Sequence, residues 1–218
     1  MAQTISANGL YGLYYYIDSD RSRDVLTSVQ MNRNVDYFYS VCVDRYPEWT
    51  VNAIAGMLGN IRYEGVLNPS QWQYGLGKSK NGGYGLCQWT PATKLLDWLP
   101  TVSGNRYDIA YQVERIKFEA DNGGQWIQSS AYPVSFNSFL ASTQSAEYLA
   151  EVWLYNYERP KDPAATVSLR RRQASIYLDY LGGVSPTPPD PNPPSPDPHP
   201  VGDGKHMKIW IYPKFRKR

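Results

Sequence analysis

The chain has 218 residues, 17 of them Pro, and a formal net charge of +2, enough for one domain with extensions or two small ones. Lys205, Lys208, Lys214, Arg216, Lys217 and Arg218 crowd the C-terminal end without an acid, which leaves −4 on residues 1–204. That balance excludes nucleic-acid binding by the main part of the chain on charge grounds.

Both histidines, His199 and His206, lie in the C-terminal region, so the rest of the chain holds neither a Ser-His nor a Cys-His catalyst, and no zinc site is expected there. Cys42 and Cys87 fit no metal spacing and require no disulfide; Cys42 reads as a small buried hydrophobe. Carboxylate chemistry is the enzymology that remains, with neither cofactor nor metal. The 19 Tyr and 7 Trp suit stacking on sugar rings, and equally suit cores and interfaces. Residues 1–20 lack the basic and apolar regions of a signal peptide, and no run reaches membrane-spanning length. Work outside the cell of origin would need delivery by a route other than ordinary secretion.

In chain order, Asn8-Gly9 signals a turn before Tyr-rich, strand-like sequence, either a short hairpin or an arm onto a partner. Between Ser19 and Tyr46 two helical segments are expected, one holding Val25, Leu26 and Val29 and the next Val35, Phe38 and Cys42. A helix from Glu48 then carries Val51, Ile54, Ala55, Leu58 and Ile61 at helical spacing, with Pro47 at its start and Gly65 at its end. At about 100° per residue, Glu64 falls on the margin of that stripe. A carboxyl at the edge of an apolar face is partly desolvated and keeps its proton more readily, as a general acid must.

Residues 66–91 are rich in Gly and aromatics and read as irregular loop with a short hairpin. Helices follow from Thr90-Pro91 to Leu99, over 106–120 with Ile109, Val113 and Ile116, and over 145–156 with Leu149, Val152 and Trp153. Asp162-Pro163 opens a last helix bearing Leu169, Gln173, Ile176, Tyr177 and Leu181. On it, Arg170, Arg171 and Arg172 read as a solvated face. Nine of the fifteen residues 186–200 are Pro, a semi-rigid extended spacer.

Three phrases stand in order: Gly59-Asn60-Ile61-Arg62-Tyr63-Glu64-Gly65-Val66-Leu67-Asn68-Pro69, then Gly83-Tyr84-Gly85-Leu86-Cys87-Gln88-Trp89-Thr90, then Tyr157-Glu158-Arg159-Pro160. Together, over about residues 34–182, the chain resembles the phage tail lysozyme family, relatives of goose-type lysozymes and lytic transglycosylases. The resemblance implies a mainly α, lysozyme-like fold with a small irregular or β-hairpin lobe, followed by the Pro-rich linker. It implies a virion-borne, tail-associated hydrolase that cleaves peptidoglycan between N-acetylmuramic acid and N-acetylglucosamine, with other tail proteins as partners. Glu64 matches the catalytic acid; Gln88, Tyr84, Trp89, Tyr157 and Glu158 match positions expected to bind substrate. For Glu158 the competing reading is an ion pair that ties down the last helix. Gly65 stands where many relatives have Ser, and Cys87 where a small or apolar residue is common.

A base on the far face of the sugar ring, roughly 6.5–9.5 Å from the acid, marks inverting enzymes. Asp97, Glu119, Asp121 and Glu158 are the candidates, and spacing selects none of them. The reaction ends on water or on the muramoyl 6-hydroxyl. A wall-binding or structural tail module without activity, or an endolysin released in the host, are the alternatives. The expected organisation is an N-terminal arm and first helix over 1–33, the lysozyme-like domain over 34–183 and the linker over 184–204. Residues 205–218 would form a basic aromatic segment, either the start of a truncated second domain, a docking peptide or a tag for an anionic surface.

Overall fold

A computed structural model describes residues 7–9, 12–20 and 26–182. The linker and the basic segment expected over 184–218 lie outside the described residues, as does Val25. Seven α-helices dominate: α1 (Ser28–Arg45), α2 (Val51–Glu64), α3 (Thr93–Leu96), α4 (Ile109–Asn122), α5 (Phe136–Leu140), α6 (Ala146–Trp153) and α7 (Val167–Gly182). A 3-10 turn (Leu99–Val102) follows α3, and a π-helical turn (Leu154–Glu158) extends α6. Among the described residues the strands are one antiparallel hairpin, β1 (Ala7–Gly9) and β2 (Tyr14–Tyr16), with Asn8 opposite Tyr15. No described helix is long and apolar enough to cross a membrane. The mainly α fold is the one expected.

Helix α2 is the centre of the molecule. It packs most extensively against α7 and α6, and every residue from Ala53 to Ile61 is buried. It has no exposed back face, so a single apolar stripe understates it. The start also differs from the expected Pro47–Glu48. Thr50 caps the helix by accepting the amide of Ala53 at 3.1 Å, and its hydroxyl donates to the Ser142 carbonyl at 2.5 Å. A side-chain cap of this kind stabilises a helix by about 1 kcal/mol.

Two glycines explain how the neighbours come so close. A Cβ on Gly56 would stand 3.0 Å from the backbone of Leu149 and Ala150 on α6. One on Gly59 would stand 2.7 Å from the Arg170 carbonyl and 2.9 Å from Ala174 on α7.

Helix α1 is one helix, opened by a capping box in which Thr27 and Gln30 exchange bonds. It buries Met31, Asn34, Val35, Phe38 and Cys42, while Val29 is exposed. The expected domain boundary at 33/34 therefore falls inside a continuous helix. The hairpin is docked, not an arm. Buried Asn34 accepts the Tyr15 amide at 2.6 Å and donates to its carbonyl at 2.7 Å. Buried Asn68 does the same for Ile17, at 3.1 and 2.7 Å. Each carboxamide thus acts as a missing strand neighbour, and Tyr14 stacks on Tyr37 beneath.

Candidate active site

Glu64 is the last residue of α2, and its surroundings explain the spacing of its motif. Gly59 admits α7, as above. Asn60, fully buried, donates through Nδ2 to the carbonyls of Gly56 at 3.0 Å and Ala150 at 2.9 Å, tying α2 to α6. The Asn60 carbonyl accepts Arg170 from α7 at 2.6 Å, and a second nitrogen of the same guanidinium reaches Glu64 Oε1 at 2.5 Å. The guanidinium lies 5.1 Å from the Tyr63 ring centroid. Arg170's side chain is 7% exposed and Glu64's 25%. Arg170 is thus a buried ion-pair partner rather than part of a solvated arginine face; only Arg171, paired with Glu151 across 3.4 Å, and Arg172 point outward. The buried stripe of α7 is Arg170, Ala174, Tyr177 and Leu181; Tyr177 and Leu181 were expected there, while Gln173 and Ile176 are half-buried and Leu169 is exposed.

The π-helical turn delivers a second carboxyl to the same place. Its extra residue per turn is closed by the Arg159 amide on the Leu154 carbonyl at 2.8 Å, with Arg159 left-handed at φ 47°. Such turns recur at functional sites. Glu158, at its end, accepts the Trp153 indole at 2.8 Å. Burial, and then the charge of Glu64, hold the Glu158 carboxyl well above the usual carboxylate range. Of the four candidates for a second carboxylate, Glu158 is therefore the one in electrostatic contact with Glu64. Asp97 is exposed at the end of α3, and Asp121 is an exposed partner of Lys117. The ion pair weighed for Glu158 forms instead on Glu64.

Glu119, on α4, is buried and fully engaged. It accepts the Trp89 indole at 3.0 Å, the Tyr157 hydroxyl at 2.6 Å and Arg115 at 3.1 Å. Burial raises its pKa against the pull of these donors. Trp89 and Tyr157 are thus buried structural residues, 2% and 0% exposed, and Tyr84 is likewise fully buried against Trp72. None of the three opens a ring face to a ligand, which corrects their expected place along a sugar groove. They brace it: Tyr157 stacks on Trp153 at 4.1 Å, and Trp153 holds Glu158. Burial pushes the Cys87 thiol well up, and Glu158, Glu119 and Glu64 push it further. Cys87 is a neutral, compact filler between the carboxyls.

Packed on the end of α2 is a wall made by the tight hairpin from Tyr84 to Trp89, closed by amide-carbonyl bonds in both directions at 3.2 and 3.0 Å. Gln88 sits at its tip with φ 46°, half-buried. Its Nε2 donates to the carbonyls of Gln71 at 2.9 Å and Gly85 at 3.0 Å, and its amide oxygen has no hydrogen bond among the described residues. Gly65 joins this wall to α2. A Cβ there would lie 2.5 Å from the Gly85 carbonyl oxygen and 2.6 Å from that of Leu86. At this position, where many relatives have Ser, the hairpin occupies the space that a side chain needs. The chain then turns through Val66 and Leu67 at φ 47° and 57°. This left-handed geometry is unusual for a β-branched residue and marks strain. The Leu67 carbonyl is held by Asn34 at 2.7 Å.

Sequence reasoning missed Arg170 as Glu64's partner, Asn60 as its platform and Trp153 as the donor to Glu158. One signal was available: Arg170, Ala174, Tyr177 and Leu181 recur at helical spacing, and an arginine inside such a stripe needs a buried acid.

A family model described as phage tail lysozyme matches residues 33–181. The chain is also similar to morphogenesis protein 1 of Bacillus phage B103, at 41% identity over 162 residues. The match covers 74% of this chain and 43% of that relative, so the chain spans less than half of the relative's length.

Proposed function

Because this chain belongs to the phage tail lysozyme family, we propose that it cleaves peptidoglycan glycan strands between N-acetylmuramic acid and N-acetylglucosamine. It does so from the phage tail, helping the particle through the host wall. Glu64 is the general acid. It protonates the glycosidic oxygen as the bond breaks and an oxocarbenium-like ring develops. The observation that carries this reading is the state of Glu64: one oxygen is held by Arg170, and the other has no hydrogen-bond partner among the described residues. Glu158 is the second carboxyl near it, and burial makes it hold its own proton more tightly. The open amide oxygen of Gln88 is placed to accept a hydrogen bond from the sugar or from the attacking water.

Departure of the leaving sugar leaves Glu64 as a carboxylate beside the oxocarbenium. It then takes a proton either from water, giving hydrolysis, or from the muramoyl 6-hydroxyl, closing a 1,6-anhydro ring.

The test is a digest of purified peptidoglycan with wild type and Glu64→Gln, with released fragments weighed by mass spectrometry. Wild type should release glycan fragments, and Glu64→Gln should do so about 10²–10⁴-fold more slowly, the range of general acid catalysis. Reducing-end muramic products mean hydrolysis, and products lighter by one water mean the anhydro route. A wild type that binds the wall yet releases nothing contradicts the enzyme reading in favour of a binding module. Detection of the chain in purified tails tests the tail role.

A further inference from the structure

The arginine that holds Glu64 lies outside all three phrases that mark the site, and its geometry suits more than helix packing. Its guanidinium makes two bonds with different ends of one helix terminus: to the Asn60 carbonyl at 2.6 Å and to Glu64 Oε1 at 2.5 Å. It is nearly sealed from solvent, faces the Tyr63 ring at 5.1 Å, and its Nε is buried without a partner. A planar, buried group anchored to backbone at one nitrogen cannot rotate, so the carboxyl bound to its other nitrogen is fixed as well. Tying α7 to α2 would need only the Asn60 carbonyl.

We propose that Arg170 is a positioning residue for glycan cleavage, holding Glu64 by Oε1 so that Oε2 carries the proton and faces the sugar. This rests on the reading of Glu64 as the acid. In the step, the proton on Oε2 moves to the glycosidic oxygen and the bond's electron pair leaves with that oxygen. The carboxylate left behind is stabilised by Arg170 until it recovers a proton from the attacking water or hydroxyl. The other ionisable groups around Glu64 are Glu158 from the π-helical turn and Cys87 from the hairpin wall, with Arg159 acting on Glu158. Arg170 is thus the cation bonded directly to the acid.

The test compares wild type, Glu64→Gln, Arg170→Met and Arg170→Lys on purified glycan strands. Arg170→Met keeps the packing volume and loses the charge and both bonds. Its kcat should fall tenfold to a hundredfold with KM within about threefold. Arg170→Lys should recover only part of kcat, since an ammonium cannot serve both acceptors as the fork does.

A loss of rate that disappears when turnover is expressed per folded molecule would make Arg170 purely structural, and unchanged kcat would also overturn the proposal. If Arg170→Met does not fold, Arg170→Lys decides. A tenfold lower kcat at unchanged KM and thermal midpoint supports the role, and wild-type kcat overturns it. Glu64→Gln at wild-type rate would overturn the reading of Glu64 and this role together. An inactive Glu64→Gln beside unaffected Arg170 variants would overturn this role alone.

Discussion

Glu64 and Glu119 are both carboxylates in contact with an arginine, yet they sit in opposite circumstances. Glu119 has a side chain 1% exposed and gathers three donors from α4, the hairpin wall and the π-helical turn. Glu64 has a side chain 25% exposed and one donor. A buried carboxylate with a donor on each oxygen is a structural node, since removing a partner strands the rest. A partly open one with a free oxygen still has a bond to make, and that bond belongs to a ligand or a proton. Tyr157 bonds Glu119 and stacks on Trp153, which bonds Glu158, so the node is linked to the second carboxyl of the candidate site.

The comparison breaks most visibly at Glu119. Glu119→Ala would leave the Trp89 indole, the Tyr157 hydroxyl and Arg115 without their shared acceptor, and should cost about 3–5 kcal/mol of stability, read by chemical denaturation. A loss below about 1 kcal/mol would show that the node is not structural. Gly65→Ser tests the joint between α2 and the hairpin wall. The new Cβ must displace the Gly85 and Leu86 carbonyls, at a cost of about 1–3 kcal/mol and with lower turnover. Equal stability and turnover would show that the wall moves freely.

The smallest effect is a pH dependence at Glu158. Its carboxyl holds its proton more tightly folded than unfolded, so its contribution to stability is complete below the ordinary Glu range and is lost as pH rises through the folded value. Glu158→Gln keeps an acceptor for Trp153 and cannot ionise. Its thermal midpoint should match wild type near pH 4 and exceed it by a few degrees at higher pH. A gap that stays constant with pH would remove the charge argument.

Much of this was legible in the chain itself. The run from Gly59 to Pro69 places Glu64, the helix end and the turn, and the apolar periods of α4 and α6 stand where they were expected. What the sequence hid is long-range and polar. Arg170 lies 106 residues from Glu64, and its charge suggested solvent; only its pairing with a carboxyl makes burial tolerable. The docking of the hairpin is carried by the side chains of Asn34 and Asn68 standing in for backbone, which no periodicity reveals. Trp89 and Tyr84 looked like groove aromatics because burial and stacking use the same residue types.

The most direct measurement is turnover of purified glycan strands by wild type, Glu64→Gln and Glu119→Gln at matched concentrations of folded protein. The account predicts that Glu64→Gln loses at least a hundredfold in kcat per folded molecule, with a lower thermal midpoint because buried Arg170 loses its counter-charge, while Glu119→Gln loses stability and keeps kcat per folded molecule within about tenfold. A Glu64→Gln variant that turns over like wild type, or a Glu119→Gln variant that is fully folded and inactive, would contradict it.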